Sequence, residues 1–206
     1  MKKLARETIK IGVLYVARGQ DNQRDILKNI VGSNKYEEFI NNLGQKVSLR
    51  NHLGFQAGLK YKTDGKVAVY HSDPLIELMF HVATMMPTSA DDDQVLNKKK
   101  YYRDLGLVII SIRHVGNDHV NIVWCENYRG YRRNTITSQY NFVQIIVYPM
   151  KFDLCKVVVY RKDAINYLFP WIDNMIISRE HLPLLVKLCS VHGFRSKNLT
   201  LKIFFL

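Results

Sequence analysis

Three segments rich in β-branched and aromatic residues limit the folds open to this chain. They are HVNIVW (119–124), FVQIIVYP (142–149) and LCKVVVYR (154–161). Such side chains pack well on a pleated, half-buried surface, so the second half of the chain must build a sheet. The last two segments are separated only by MKFD, which predicts an antiparallel hairpin. IGVLYVA (11–17) and KVAVYH (66–71), the latter bounded by TDG, read as further strands. LIELMFHVATMMP (75–87) is apolar almost throughout and fits a buried strand or a buried helix equally well.

Helical periodicity flanks these strands. In SNKYEEFINNLG (33–44), Ser33 can cap a helix whose Tyr36, Phe39, Ile40 and Leu43 fall at i, i+3, i+4 and i+7, and Gly44 ends it. DNQRDILKNIVG (21–32) predicts a helix with Ile26, Leu27, Ile30 and Val31 on one face and Gly32 as the stop. LPLLVKLCSVHG (182–193) predicts another, with Pro183 in its first turn and Gly193 after its end. TSADDDQVLNKKK (88–100) reads as a charged loop. Helices at both ends of a run of strands imply an α/β fold: a single domain over residues 1–206 with a central mixed β-sheet flanked by helices. No internal repeat or Gly/Ser linker divides it.

Composition narrows the chemistry. Three cysteines, Cys125, Cys155 and Cys189, lie far apart with no CxxC pair, which argues against a zinc site or a disulfide framework and favours a reducing compartment. The longest apolar run, LGLVIISI (105–112), is far short of a membrane span. A soluble, cytoplasmic protein is expected. Lysine and arginine outnumber aspartate and glutamate by 30 to 18, and a net charge of +12 would attract an acidic partner.

Familiar catalytic patterns are missing. His114 and His119 are five apart, unlike HExxH, and ADDDQ (90–94) lacks the glycine and closing glutamate of a calcium loop, so no metal site is expected. Neither GxxxxGK[ST] nor GxGxxG occurs, and no GxSxG. YRGYRR (128–133) and NKKKYYR (97–103) interleave aromatics with cations, as a nucleic-acid or anionic-surface module would, but no RNP, helix-turn-helix or KH pattern accompanies them.

RHVGNDHV (113–120) is the densest polar cluster, placed immediately before a strand. By composition it is a turn. With QYNFVQIIVYP downstream, and GSNKYEEFINNLG, HLGFQAGL, VYHSDPLIELMFHVATMMP and REHLPLLVKLCSVH in the same order, it resembles the Rap/Ran GTPase-activating domain family from about residue 10 to 192. The pattern is closer to tuberin-like, Rheb-directed members than to Rap-directed ones. The resemblance implies an α/β activator of a small Ras-like GTPase, Rheb-like or Rap-like, and not an enzyme in its own right. Its catalytic residue would be an asparagine thumb, Asn117. Arg113 and His114 would shape the motif and touch the partner, Gly116 would let the backbone turn, Asp118 would cap the short helix presenting Asn117, and His81 would be structural.

A carboxamide suits the task, because it carries both an acceptor oxygen and a donor NH₂ and needs no pKa tuning. GTP and Mg²⁺ would belong to the GTPase, so no cofactor of the chain's own is expected, and no nucleic acid. The resemblance departs at residues 101–112, where YYRDLGLVIISI separates NKKK from RHVGND and puts Ile112 at the family's basic position. An apolar insert of this kind is expected to be ordered and packed. The tail 194–206 has no evident counterpart. Two other readings stay open: a family member that binds a GTPase without activating it, and the basic nucleic-acid or anionic-surface module. The oligomeric state is not legible.

Overall fold

The structure, a computed structural model, describes residues 5–86, 113–136, 138–162 and 172–204. The charged loop 88–100, its ADDDQ and NKKK segments and the insert 101–112 lie outside the described residues.

One eight-stranded sheet organises the described residues. Its strands are β1 (Glu7–Val16), β2 (Gln45–Ser48), β3 (Val67–Ser72), β4 (Ile76–Val82), β5 (Val120–Cys125), β6 (Val143–Pro149), β7 (Leu154–Arg161) and β8 (Ile176–Ser178), in the order β2-β3-β4-β1-β5-β6-β7-β8. The four central strands β4, β1, β5 and β6 run parallel, and the outer pairs are antiparallel. The mixed α/β sheet read from the sequence is therefore the observed fold, including the β6–β7 hairpin. The ambiguous segment 75–87 forms strand β4 followed by a 3₁₀ turn, Ala83–Met85. It is largely apolar because a strand in the middle of the sheet is buried on both faces.

Each face of the sheet is covered differently. Helix α2 (Asn34–Leu43) has the sequence-derived boundaries. Ser33 Oγ accepts from the Tyr36 N–H, and Tyr36, Phe39, Ile40 and Leu43 are buried. With Leu182, Val186 and Cys189 of helix α3 (Leu182–Phe204), they cover Ile9, Ile11 and Val13 of β1, Phe80 of β4 and Trp124 of β5. The opposite face carries Leu14, Val16, Met79, Val123 and Ile146. Loops close it, through Leu49, Leu59, Val115, Tyr131 and Ile136, together with Ile26 and Leu27 of the short helix α1 (Gln23–Leu27).

The structure corrects two helices. α1 ends five residues before Gly32, and Ile30 and Val31 are exposed. Asn29 Nδ2 donates to the Tyr15 carbonyl and to Gln20 Oε1, which ties the chain to the end of β1 instead of continuing the helix. α3 runs through Gly193 to Phe204 rather than stopping there. The glycine costs about 1 kcal/mol in a helix interior. Contacts beyond it offset that cost: Phe194 stacks on His119, and Arg195 pairs with Glu7 at 2.8 Å. β1 also begins four residues earlier than read. The edge strands β2 and β8 were not legible; they are short and partly polar, as edges commonly are.

Candidate functional site

Residues 113–118 make a helical turn that enters β5. The turn lies on the loop-covered face, where Val115 is wholly buried. A polar row in the sheet lies under it. Gly12 is paired with His81 of β4 on one side and with Asn121 of β5 on the other, and Asn121 with Gln144 of β6. Asn121, itself fully buried, donates from Nδ2 to the Val115 carbonyl at 3.3 Å. Only a glycine fits between: a Cβ on residue 12 would lie 2.1 Å from Asn121 Oδ1 and 3.0 Å from Val115 Cγ1. Gly12→Ala is accordingly expected to lower stability by about 1–3 kcal/mol. Urea unfolding checks this, and adding Asn121→Ala should restore part of the loss.

Side chains towards both ends of the turn add two further buried anchors. Asp118 is fully buried; its Oδ2 lies 2.8 Å from His81 Nδ1 and its Oδ1 3.5 Å from Lys10 Nζ. Asp118 therefore does not cap a helix, as the sequence suggested, but ties the end of the turn to β4 and β1. His114 is also buried, so it does not offer itself to a partner. Its Nε2 is 2.9 Å from Asp64 Oδ1, and its ring centroid is 4.9 Å from that of His81. Burial pushes the His114 ring below the ordinary histidine range, and the Asp64 carboxylate pulls the other way. Gly116 is buried, and its carbonyl accepts from Ser138 Oγ.

Asn117 stands exposed between these anchors. Its backbone N–H donates to the His114 carbonyl at 3.0 Å, and its side-chain Nδ2 donates to the Arg113 carbonyl at 2.6 Å. A carbonyl only accepts, so the amide nitrogen must face Arg113. The amide oxygen then points away and makes no hydrogen bond among the described residues. Arg113 itself is exposed. The arrangement is a preoriented acceptor on a rigid support, suited to holding a water on a molecule that docks from outside.

Sequence reasoning missed Lys10, Gly12, Asp64 and Asn121. Two of them left a signal: a glycine within IGVLYV and an asparagine within VNIVWC interrupt otherwise apolar strands, and a strand glycine marks a close approach. Asp64 left none, since TDG reads as an ordinary turn.

His119, directly after the motif, packs between Phe194 and Phe142. Burial, with Lys197 and Lys10 adding repulsion, pushes its pKa down to about 4 against the pull of Asp118. The unfolded chain takes up this proton near pH 6.5 and the folded chain only near 4. Stability is thus complete above 6.5 and falls as pH drops through that window, by at most about 2 kcal/mol at pH 5. Burial lowers His71 and His114 too, adding in the same direction. Urea midpoints at pH 7 and pH 5 should differ less for His119→Gln than for the wild type.

The other candidate segments are occupied differently. In YRGYRR, Tyr131 is buried and Arg129 pairs with Asp21 at 3.1 Å, so the aromatics do not form a stacking array. Burial raises the pKa of all three cysteine thiols, Cys155 to about 11 and Cys189 to about 12, which leaves them poor nucleophiles. No helix among the described residues is long and apolar enough to cross a membrane.

Comparisons with known proteins bear on the family and the fold. The profile of the family described as Rap/ran-GAP matches residues 26–203, which takes in most of the tail beyond residue 193 that the sequence had left unmatched. The chain is 39% identical to Ral GTPase-activating protein subunit alpha-1 of Rattus norvegicus over 192 residues, covering 93% of this chain and 9% of that protein. It is 35% identical to the tuberous sclerosis 2 protein homolog of Schizosaccharomyces pombe over 146 residues, covering 69% of this chain and 10% of that one. The chain thus spans about a tenth of the length of these relatives. The solved structure of the TSC2 GAP domain superposes with a TM-score of 0.81 at 29% identity, covering 94% of this chain and 98% of that one.

Proposed function

Because this chain belongs to the Rap/ran-GAP family, we propose that it accelerates GTP hydrolysis by a small Ras-like GTPase, with Asn117 supplied in trans. The names of its relatives add a Ral-like GTPase to the Rheb-like and Rap-like candidates, and at 39% identity the Ral-like one comes first. The observation that carries the reading is the exposed Asn117 carboxamide, held by its NH₂ on the Arg113 carbonyl so that its oxygen faces outward. Placed beside a bound γ-phosphate, that oxygen accepts a hydrogen bond from the attacking water and fixes it in line.

The GTPase contributes the nucleotide, its Mg²⁺ and the phosphate loop, so the activator's contribution is positioning. Residues 1–206 act as one domain in this reading, in the cytoplasm, without a cofactor of their own. Arg113, exposed beside the thumb, contacts the partner, and the +12 charge steers the encounter towards an acidic face.

The test is single-turnover GTP hydrolysis by a panel of Ral-like, Rheb-like and Rap-like GTPases, with and without the chain. Acceleration of at least one is expected. A stable complex with no acceleration would instead mark a binding member of the family, and tight binding to single-stranded RNA with no effect on any GTPase would mark the basic-module reading.

A further inference from the structure

We propose that Asp64 is a positioning residue for the thumb, acting through His114; the proposal rests on the activating role of Asn117 and deepens it. Asp64 lies fifty-three positions before Asn117 by sequence number, in the loop between β2 and β3, and it is 4% exposed. Its two carboxylate oxygens face different segments. Oδ2 accepts from the Lys60 N–H at 2.8 Å, and the Asp64 N–H donates back to the Lys60 carbonyl at 2.9 Å, which closes the 60–64 turn. Oδ1 faces His114 Nε2 at 2.9 Å.

His114 in turn accepts the Asn117 backbone N–H on its carbonyl, so the imidazole and the thumb share one turn of backbone. The other end of that turn is fixed by Asp118 on His81. Between these ends the Val115 and Gly116 carbonyls are held by Asn121 and Ser138, so the Asp64 contact is the one that fixes the His114 end, whose carbonyl receives the Asn117 N–H and so sets the direction of the thumb.

Neither Asp64 nor His114 reaches the surface enough to touch a docked protein, as both are less than a tenth exposed. Removing their contact must therefore act on the geometry of the thumb and not on the docking surface. Misplacing a catalytic group by about 1 Å can cost roughly 10²-fold in rate. A loop held in place for stability alone would lower the unfolding midpoint without changing the rate of the correctly folded fraction.

The experiment is single-turnover hydrolysis on whichever GTPase the wild-type chain accelerates, with the chain titrated to separate the saturating rate from the half-saturating concentration. The variants are Asp64→Ala, Asp64→Asn, His114→Ala, His114→Gln and the Asp64→Ala/His114→Ala double, each with a thermal unfolding curve.

Asp64→Ala and His114→Ala should each lower the saturating rate about 10- to 100-fold, with the half-saturating concentration within about threefold. The double should be no worse than the poorer single, since both remove one contact. His114→Gln keeps an N–H donor and should recover most of the rate. If Asp64→Ala does not fold, Asp64→Asn, which keeps the Lys60 bond, and His114→Gln decide the question.

Losses that multiply in the double, or a shift confined to the half-saturating concentration, overturn the proposal. A wild-type chain that accelerates no GTPase overturns the activating role and the proposal together, whereas wild-type acceleration unchanged in Asp64→Ala overturns the proposal alone.

Discussion

Replacing Asn117 with alanine is expected to lower the rate of activated GTP hydrolysis by at least about 10²-fold while leaving the unfolding free energy within about 0.5 kcal/mol of the wild type. The two parts follow from the same geometry. The side chain is exposed and its one hydrogen bond among the described residues is to the backbone four residues earlier, so its removal leaves no cavity and no buried orphan there. What is lost is the acceptor that would hold the water. Asn117→Asp should fail as well, for two separate reasons. A carboxylate has no hydrogen to give the Arg113 carbonyl, so the side chain swings away from it. It also brings a negative charge towards the phosphates. Single-turnover rates and urea midpoints for both variants check these expectations.

Asp118→Ala should have the largest effect on stability. Asp118 is wholly buried and faces His81 and Lys10. Removing the carboxylate leaves the buried His81 ring without its hydrogen-bond partner, at a cost of up to about 3 kcal/mol. Activation should fall too, even in the folded fraction, since the turn loses its tie to β1 and β4. Chemical unfolding measures the first effect. The saturating hydrolysis rate, corrected for the folded fraction, measures the second. A variant as stable as the wild type would mean that the pair contributes nothing to anchoring the turn.

The parts of this molecule legible in its sequence are those where local pattern and packing agree. α2 was read to its caps because Ser33, the apolar stripe and Gly44 all indicate the same element. β5, β6 and β7 were read within a residue because their β-branched runs fit a strand flanked on both sides. α1 was overread, since Ile30 and Val31 continue a periodic pattern that the Asn29 side chain interrupts by bonding to Tyr15. α3 was underread, since a glycine that ends most helices is tolerated where Phe194 and Arg195 find tertiary partners.

The site divides in the same way. The thumb turn is contiguous, so RHVGND announced it. Its supports come from β1, β4 and the loop before β3, and no spacing rule connects Lys10, Asp64, His81 and Asp118 along the chain. His114 and Asp118 were assigned an exposed role and a capping role because a polar turn before a strand is normally solvated. In this fold both turn inward.

In the proposed function, one exposed carboxamide converts a bound GTPase into a faster one. The most direct test measures, side by side for the wild type and Asn117→Ala, the single-turnover hydrolysis rate of a Ral-like GTPase at saturating chain and the affinity for its GTP-loaded form. The proposed role of Asn117 predicts acceleration by the wild type, its near-complete loss in the variant, and affinities within about threefold of each other. Equal acceleration by both proteins would contradict it.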